Sequence, residues 1–146
     1  MAVRSVWFWG TTRKIGRCVA VSGISGSGLE VMKKRQNIIR HMQSCLPGEG
    51  CGFILNNGKF VPCENKINDM PQIDQRIRDS LAFAIDPLVY KKHAKDLKYI
   101  VHSHISADPE NDSPSNADKI ARQTTAVPWV IYVFDQQGNY VRNYEF

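Results

Sequence analysis

The spacing of apolar and polar positions divides the chain into helices and short strands. Between residues 32 and 46, apolar side chains recur every three or four positions, which is typical of an amphipathic helix. These positions are Ile38, Ile39, Met42 and Leu46. Pro47-Gly48 follows, and this pair predicts the end of the helix.

Short apolar runs bounded by turn residues predict a β-sheet after this helix. We expect strands at residues 50–55 and 59–63, joined by an Asn56-Asn57-Gly58 hairpin turn. Further strands are predicted at 83–85, 99–104, 129–135 and 140–144, helices at 87–97 and 115–125, and polar loops at 65–74 and 106–114. This order predicts an α/β fold, with a mixed sheet flanked by helices.

The first 31 residues follow a different pattern. A four-residue apolar patch, Val6 to Trp9, precedes basic residues, and residues 22–28 are all Ser, Gly or Ile. We predict a flexible N-terminal extension at 1–31 and one domain at 32–146. The apolar patches are too short for a signal peptide, and none is recognised. Two alternatives stay open: a segment ahead of a natural start at Met32, or an arm that docks on a partner.

Composition adds few constraints. A chain of 146 residues suits one domain with a sizeable core. The net charge of +5 is compatible with an acidic partner, but no basic run with interleaved aromatics predicts nucleic-acid binding. No apolar stretch reaches the ~20 residues of a membrane span. The four cysteines form no C-x-x-C pair, so we expect reduced, mostly buried thiols.

The strongest chemical signal is His102-Ser103-His104, at the end of a predicted strand. Residues i and i+2 of a strand share a face, so one metal ion can bridge both imidazoles. Asp118, in the first turn of the helix that follows, supplies a third ligand, with water as the fourth. Taken singly, each signal has a plainer interpretation: packed or solvated histidines, and a Ser-x-x-Asp capping box at Ser115.

A hydrolytic zinc site also needs a base for its water, and Glu49 is the candidate. Glu49 lies between two glycines, a position at which the sequence indicates no packing role for its side chain. The alternative is an exposed loop carboxylate. Ser115 is the predicted N-cap of the helix at 115–125, and its hydroxyl is also placed to donate to an oxyanion.

Together these residues resemble the JAMM motif of MPN-domain metallopeptidases: a Glu, then H-S-H, then P-S-x-x-D. The likeness covers roughly residues 34–146. It implies a cytidine-deaminase-like MPN/JAB fold with a mostly antiparallel sheet, zinc ligands His102, His104 and Asp118, Glu49 as general base, and Ser115 as oxyanion helper. The chain departs from the family in having Ile105, where Pro is frequent, and a longer loop between His104 and Ser115.

Pro128-Trp129 and the strand after it look most like the MPN domains of bacteriophage tail assembly proteins. The resemblance therefore implies a zinc metallopeptidase that cleaves an amide or isopeptide bond, with a peptide or protein substrate and other tail proteins as partners. Its location would be the virion tail, or the host cytoplasm during assembly. Two alternatives remain: a structural MPN module without catalysis, and a protease acting on a ubiquitin-like sulfur carrier.

Overall fold

The computed structural model describes residues 28–69 and 83–146. The predicted extension at 1–31 lies almost entirely outside these residues, as does the second half of the predicted loop at 65–74. The helices are α1 (Gly28–Ser44), α2 (Pro87–His93) and α3 (Asn116–Thr125). The strands are β1 (Cys51–Leu55), β2 (Phe60–Cys63), β3 (Leu97–Ile105), β4 (Trp129–Phe134) and β5 (Tyr140–Glu145).

The strands form one five-stranded sheet in the order β2-β1-β3-β4-β5. Every neighbouring pair is antiparallel except β3 and β4, which run parallel. A parallel pair needs a crossover connection, and the loop after β3 together with α3 supplies it. The prediction of a mixed, mostly antiparallel sheet flanked by helices is confirmed.

The two faces of the sheet are covered by different helices. On one face, Ile38, Ile39 and Met42 of α1 pack against Val101 and Phe134. On the other, α3 contributes Ala121, and the segment before α2 contributes Phe83 and Ile85; these pack against β1, β3 and β4 around Phe53, Ile100 and Trp129. β1 and β4 are therefore buried on both faces, which explains their nearly continuous apolar runs.

Several predicted boundaries are wrong. The helix predicted at 32–46 begins at Gly28 and ends at Ser44. The predicted helix at 87–97 ends at His93; a short 3₁₀ turn follows, and β3 already starts at Leu97. Leu97 is buried in the core as a strand residue, so tertiary packing overrides the helical spacing there.

The predicted strand at 83–85 is also wrong as regular structure. Phe83 forms an isolated β-bridge, and Ala84 and Ile85 lie outside any strand, although the Ala84 carbonyl accepts from the Lys66 amide at 2.8 Å. All three side chains are nevertheless fully buried. Their apolar character therefore reflects core packing and not strand formation.

No helix within residues 28–69 and 83–146 is both long and apolar enough to cross a lipid bilayer.

Candidate metal centre

Strand register brings Glu49 to the two histidines. β1 and β3 are antiparallel, with Cys51 opposite His102. Glu49 lies two residues before Cys51, so the same register, continued, places it opposite His104 on the same face. The pairing does continue past the strand: the Ser103 amide donates to the Gly50 carbonyl at 3.0 Å, and the Gly50 amide donates to Ser103 Oγ at 2.8 Å.

The imidazoles of His102 and His104 point their Nε2 atoms at each other, 3.1 Å apart. Asp118 completes a triangle: its Oδ1 lies 3.4 Å from His102 Nε2, and its Oδ2 lies 3.2 Å from His104 Nε2. His102 and Asp118 are fully buried, and His104 is 5% exposed. The structure thus brings together two imidazole nitrogens and both oxygens of one carboxylate, where water cannot readily solvate them.

Asp118 also takes part in a reciprocal cap at the start of α3. Its amide donates to Ser115 Oγ at 3.1 Å, and its Oδ2 accepts from the Ser115 amide at 2.9 Å. The predicted N-cap is confirmed. The capping box and the contact with the histidines coexist, because the cap fixes the carboxylate while leaving Oδ1 without a hydrogen bond among the described residues.

Glu49 is 4% exposed, so the alternative of an exposed loop carboxylate is wrong. Its backbone carbonyl accepts from Asn65 Nδ2 at 2.9 Å. Neither carboxylate oxygen has a hydrogen-bond partner within the described part of the chain. One ligand atom each from Glu49, His102 and His104 lie within 4.8 Å of one another, and these three residues could hold a metal ion.

Burial and nearby charges shift the pKa values of Glu49 and His102 in this group. Burial raises the pKa of Glu49 to about 8; His104 opposes the rise, and the Asp118 charge adds to it. Burial also lowers the pKa of His102, against the pull of Asp118. A buried carboxylic acid with no hydrogen-bond partner and a raised pKa is typical of functional sites.

His104 and Asp118 behave as a coupled pair. Burial by itself lowers the pKa of His104, but hydrogen bonds to Asp112 and Asp118 outweigh it and raise the value to about 10. Burial raises the pKa of Asp118, and the two histidines overcome this and hold it well below its usual range. The two aspartates therefore stabilise the protonated form of His104 in the metal-free protein.

Aromatic side chains fix the ring of His102. Phe83 stacks on it with ring centroids 4.7 Å apart, and Trp129 meets it edge-on at 5.5 Å. The Trp129 indole in turn donates to Thr125 Oγ1, at the end of α3, at 2.9 Å. These contacts hold the ring by packing, since His102 Nδ1 has no hydrogen-bond partner among the described residues.

Sequence reasoning missed a third carboxylate at the site, in addition to Glu49 and Asp118. Asp112 Oδ2 lies 2.8 Å from His104 Nδ1, and Tyr144 Oη donates to the same oxygen at 2.9 Å. Asp112 lies in the polar loop after β3, and nothing in its sequence context separates it from its acidic neighbours Asp108 and Glu110. Only the fold, which brings β5 beside this loop, singles it out.

Comparison of the chain with models of protein families, with curated proteins and with solved structures found no match. What the site can do therefore follows from its own residues. Two imidazole nitrogens and nearby carboxylate oxygens form a donor set for a divalent cation such as zinc. A further buried carboxyl group, that of Glu49, is available for proton transfer beside them.

Proposed function

We propose that the protein is a zinc-dependent metallopeptidase with a JAMM-type site, in which His102, His104 and Asp118 hold the metal and Glu49 is the general base. One observation carries the proposal. The three ligand side chains converge to separations of 3.1–3.4 Å, and the carboxylate of Glu49 lies beside them without a hydrogen-bond partner among the described residues.

The separations support zinc as the cation. Tetrahedral coordination with bonds of ~2.0–2.1 Å puts ligand atoms about 3.3 Å apart. The Nε2 atoms of His102 and His104 lie 3.1 Å apart. Asp118 Oδ1 lies 3.4 Å from His102 Nε2, and Asp118 Oδ2 lies 3.2 Å from His104 Nε2. A ligand atom of Glu49 lies within 4.8 Å of both histidines, but among the described residues its carboxylate oxygens have no contact as short as these. We therefore assign Asp118 as the third ligand and leave Glu49 for proton transfer.

The residues divide the chemistry between them. Zinc supplies Lewis-acid activation of a water molecule and of the scissile carbonyl. Glu49 takes the proton from the attacking water and delivers it to the departing nitrogen. A cation bound beside Glu49 would favour its ionised form, which is the form that takes the proton. The Ser115 hydroxyl accepts a hydrogen bond from the Asp118 amide, so its own proton is left to donate to an oxyanion.

The proposal includes an MPN/JAB fold and a place in a bacteriophage tail. The sheet with its two helix-covered faces, and the site at the ends of β1, β3 and α3, are compatible with that fold. The tail setting is supported by the sequence likeness around Pro128-Trp129. It makes a tail protein or a peptidoglycan peptide the class of substrate to examine first.

Hydrolysis by the purified full chain tests the proposal. Zinc-loaded protein, metal-free protein and zinc-loaded Glu49→Gln are each incubated with a fluorogenic peptide library and with peptidoglycan stem peptides. Products are identified by mass spectrometry. We expect cleavage that needs zinc and that falls by about 10²–10⁴-fold in Glu49→Gln. The matched control is Glu110→Gln, an exposed carboxylate in the loop after β3, which should cleave normally.

Two outcomes would contradict the proposal. Cleavage that persists in metal-free protein, or that is equal in wild type and Glu49→Gln, would exclude the assigned mechanism. Zinc-loaded wild type that cleaves neither probe would favour the structural module without catalysis.

A further inference from the structure

The loop between β3 and α3 places a carboxylate behind one metal ligand. Asp112 Oδ2 lies 2.8 Å from His104 Nδ1, the nitrogen on the side of the ring away from His102 and Asp118. We propose that Asp112 is a positioning residue, which orients His104 and fixes the tautomer that presents Nε2 to the metal. The inference rests on the metal site of the proposed function and assigns a role to a residue outside the ligand set.

The direction of the hydrogen bond gives the reason. A neutral imidazole carries one N–H, and its other nitrogen has the lone pair that a metal requires. Because the carboxylate of Asp112 accepts a hydrogen bond, His104 Nδ1 must carry the hydrogen. In the neutral form that binds a metal, the lone pair is then on Nε2, the atom 3.2 Å from Asp118 Oδ2. Metal-binding histidines commonly have such a carboxylate on the other nitrogen.

Asp112 is itself held from the far side of the loop. Tyr144 Oη donates to the same Oδ2 at 2.9 Å, so two donors fix the carboxylate. Arg142 anchors the loop backbone, with Nη2 donating to the Asp112 carbonyl at 2.7 Å and Nε to the Pro109 carbonyl at 3.0 Å. This anchor uses no side-chain atom of Asp112. Replacement of the carboxylate therefore leaves the loop attached to β5.

The two histidines are oriented by different contacts. Loss of Asp112 should therefore weaken metal binding through His104 alone. His104 depends on Asp112, whereas His102 is held by stacking on Phe83. Loss of Asp112 should loosen one ligand of three and leave the other two in place. We therefore expect weakened metal binding, not its abolition.

Metal affinity of the full-length protein tests the role without any substrate. Zinc dissociation constants are measured by competition with a chromophoric chelator, and Co²⁺-substituted protein is examined by visible absorption. Asp112→Ala should weaken zinc binding by about 10–100-fold and reduce the tetrahedral Co²⁺ band. Asp112→Asn should recover part of the loss, because its Oδ1 can still accept from His104 Nδ1. The exposed loop carboxylate Glu110, changed to Ala, is the matched control and should bind zinc normally.

A double-mutant cycle separates positioning from general damage to the fold. Tyr144→Phe should weaken zinc binding in the wild-type background and should have no further effect in Asp112→Ala, since it acts through the carboxylate. Additive effects of the two changes would count against the inference, as would wild-type zinc affinity in Asp112→Ala. Tight zinc binding that depends on Asp112, without any hydrolysis, would refute the proposed function alone. Absence of zinc binding in the wild type would refute both.

Discussion

Glu49→Gln is expected to stabilise the metal-free protein while removing its catalytic base. The carboxyl group is 4% exposed, and its two oxygens have no hydrogen-bond partner among the described residues. Folding in the absence of metal must therefore bury an acid that, in the unfolded chain, is ionised and solvated at neutral pH. Gln has nearly the same shape and carries no charge, so it avoids this cost.

The magnitude follows from the pKa. Glu49 shifts from 4.5 to about 8 on folding, chiefly because burial disfavours the charged form. Between these two values the folded state binds more protons than the unfolded state, so the free energy of unfolding decreases as the pH rises. Each pH unit in this range costs about 1.4 kcal/mol. The loss accumulated from pH 4.5 to pH 7 is therefore about 3 kcal/mol.

Urea unfolding of metal-free wild type and Glu49→Gln, with chelator present, measures this difference. Near pH 4.5 the two proteins should have similar free energies of unfolding. At pH 7 the variant should be more stable by up to about 3 kcal/mol, and the gap should stop growing above pH 8. The matched control is Glu110→Gln, which makes the same change at an exposed carboxylate.

The account treats Glu49 as a buried acid whose burial no hydrogen bond within the described residues offsets. It would be refuted by a stability difference between the two proteins that does not depend on pH. A variant less stable than wild type at pH 7 would refute it as well. Retained zinc binding in Glu49→Gln is expected as well, because Glu49 is assigned as a base and not as a ligand. The stability gained and the hydrolysis lost would then come from the same carboxyl group.

Three further predictions concern the ligands and the cap. His104→Ala should lose most of its zinc, as measured by elemental analysis after dialysis, since two ligands rarely hold catalytic zinc; full occupancy would show that the ligand assignment is wrong. Ser115→Ala removes the side-chain cap of α3 and should lower the free energy of unfolding by about 1 kcal/mol. It should also slow hydrolysis, and unchanged turnover would restrict Ser115 to the cap. Zinc binding at pH 7 should release protons, because the pKa of His104 in the metal-free protein is about 10. Calorimetry in two buffers of different ionisation enthalpy counts these protons, and a count of zero would contradict the protonation assigned to His104.

The sequence predicted the order of elements well because hydrophobic periodicity reports burial. The prediction failed where a buried residue does not adopt the secondary structure that its apolar pattern suggests. Residues 83–85 are fully buried without forming a strand, and Leu97 begins β3 although its spacing continues a helical pattern. The spacing of side chains does not encode which of two buried conformations tertiary packing selects.

Only part of the candidate site could be predicted, because only some of its residues follow local sequence rules. His102 and His104 share a strand, and Asp118 follows Ser115 at capping-box spacing, so local rules are enough to nominate them. The position of Glu49 beside them depends on the register of β1 against β3. Asp112 depends on the approach of β5 to a loop about thirty residues earlier in the chain. No local pattern reports contacts of that range.

Anomalous diffraction at the zinc edge, from crystals of the protein grown with zinc, tests the central claim most directly. The account predicts one strong peak at about 2.0–2.2 Å from Nε2 of both His102 and His104 and from an Asp118 oxygen. The Glu49 carboxylate should face the remaining coordination position without occupying it. A crystal without a peak at this site, or with Glu49 in place of Asp118 as the third ligand, would contradict it.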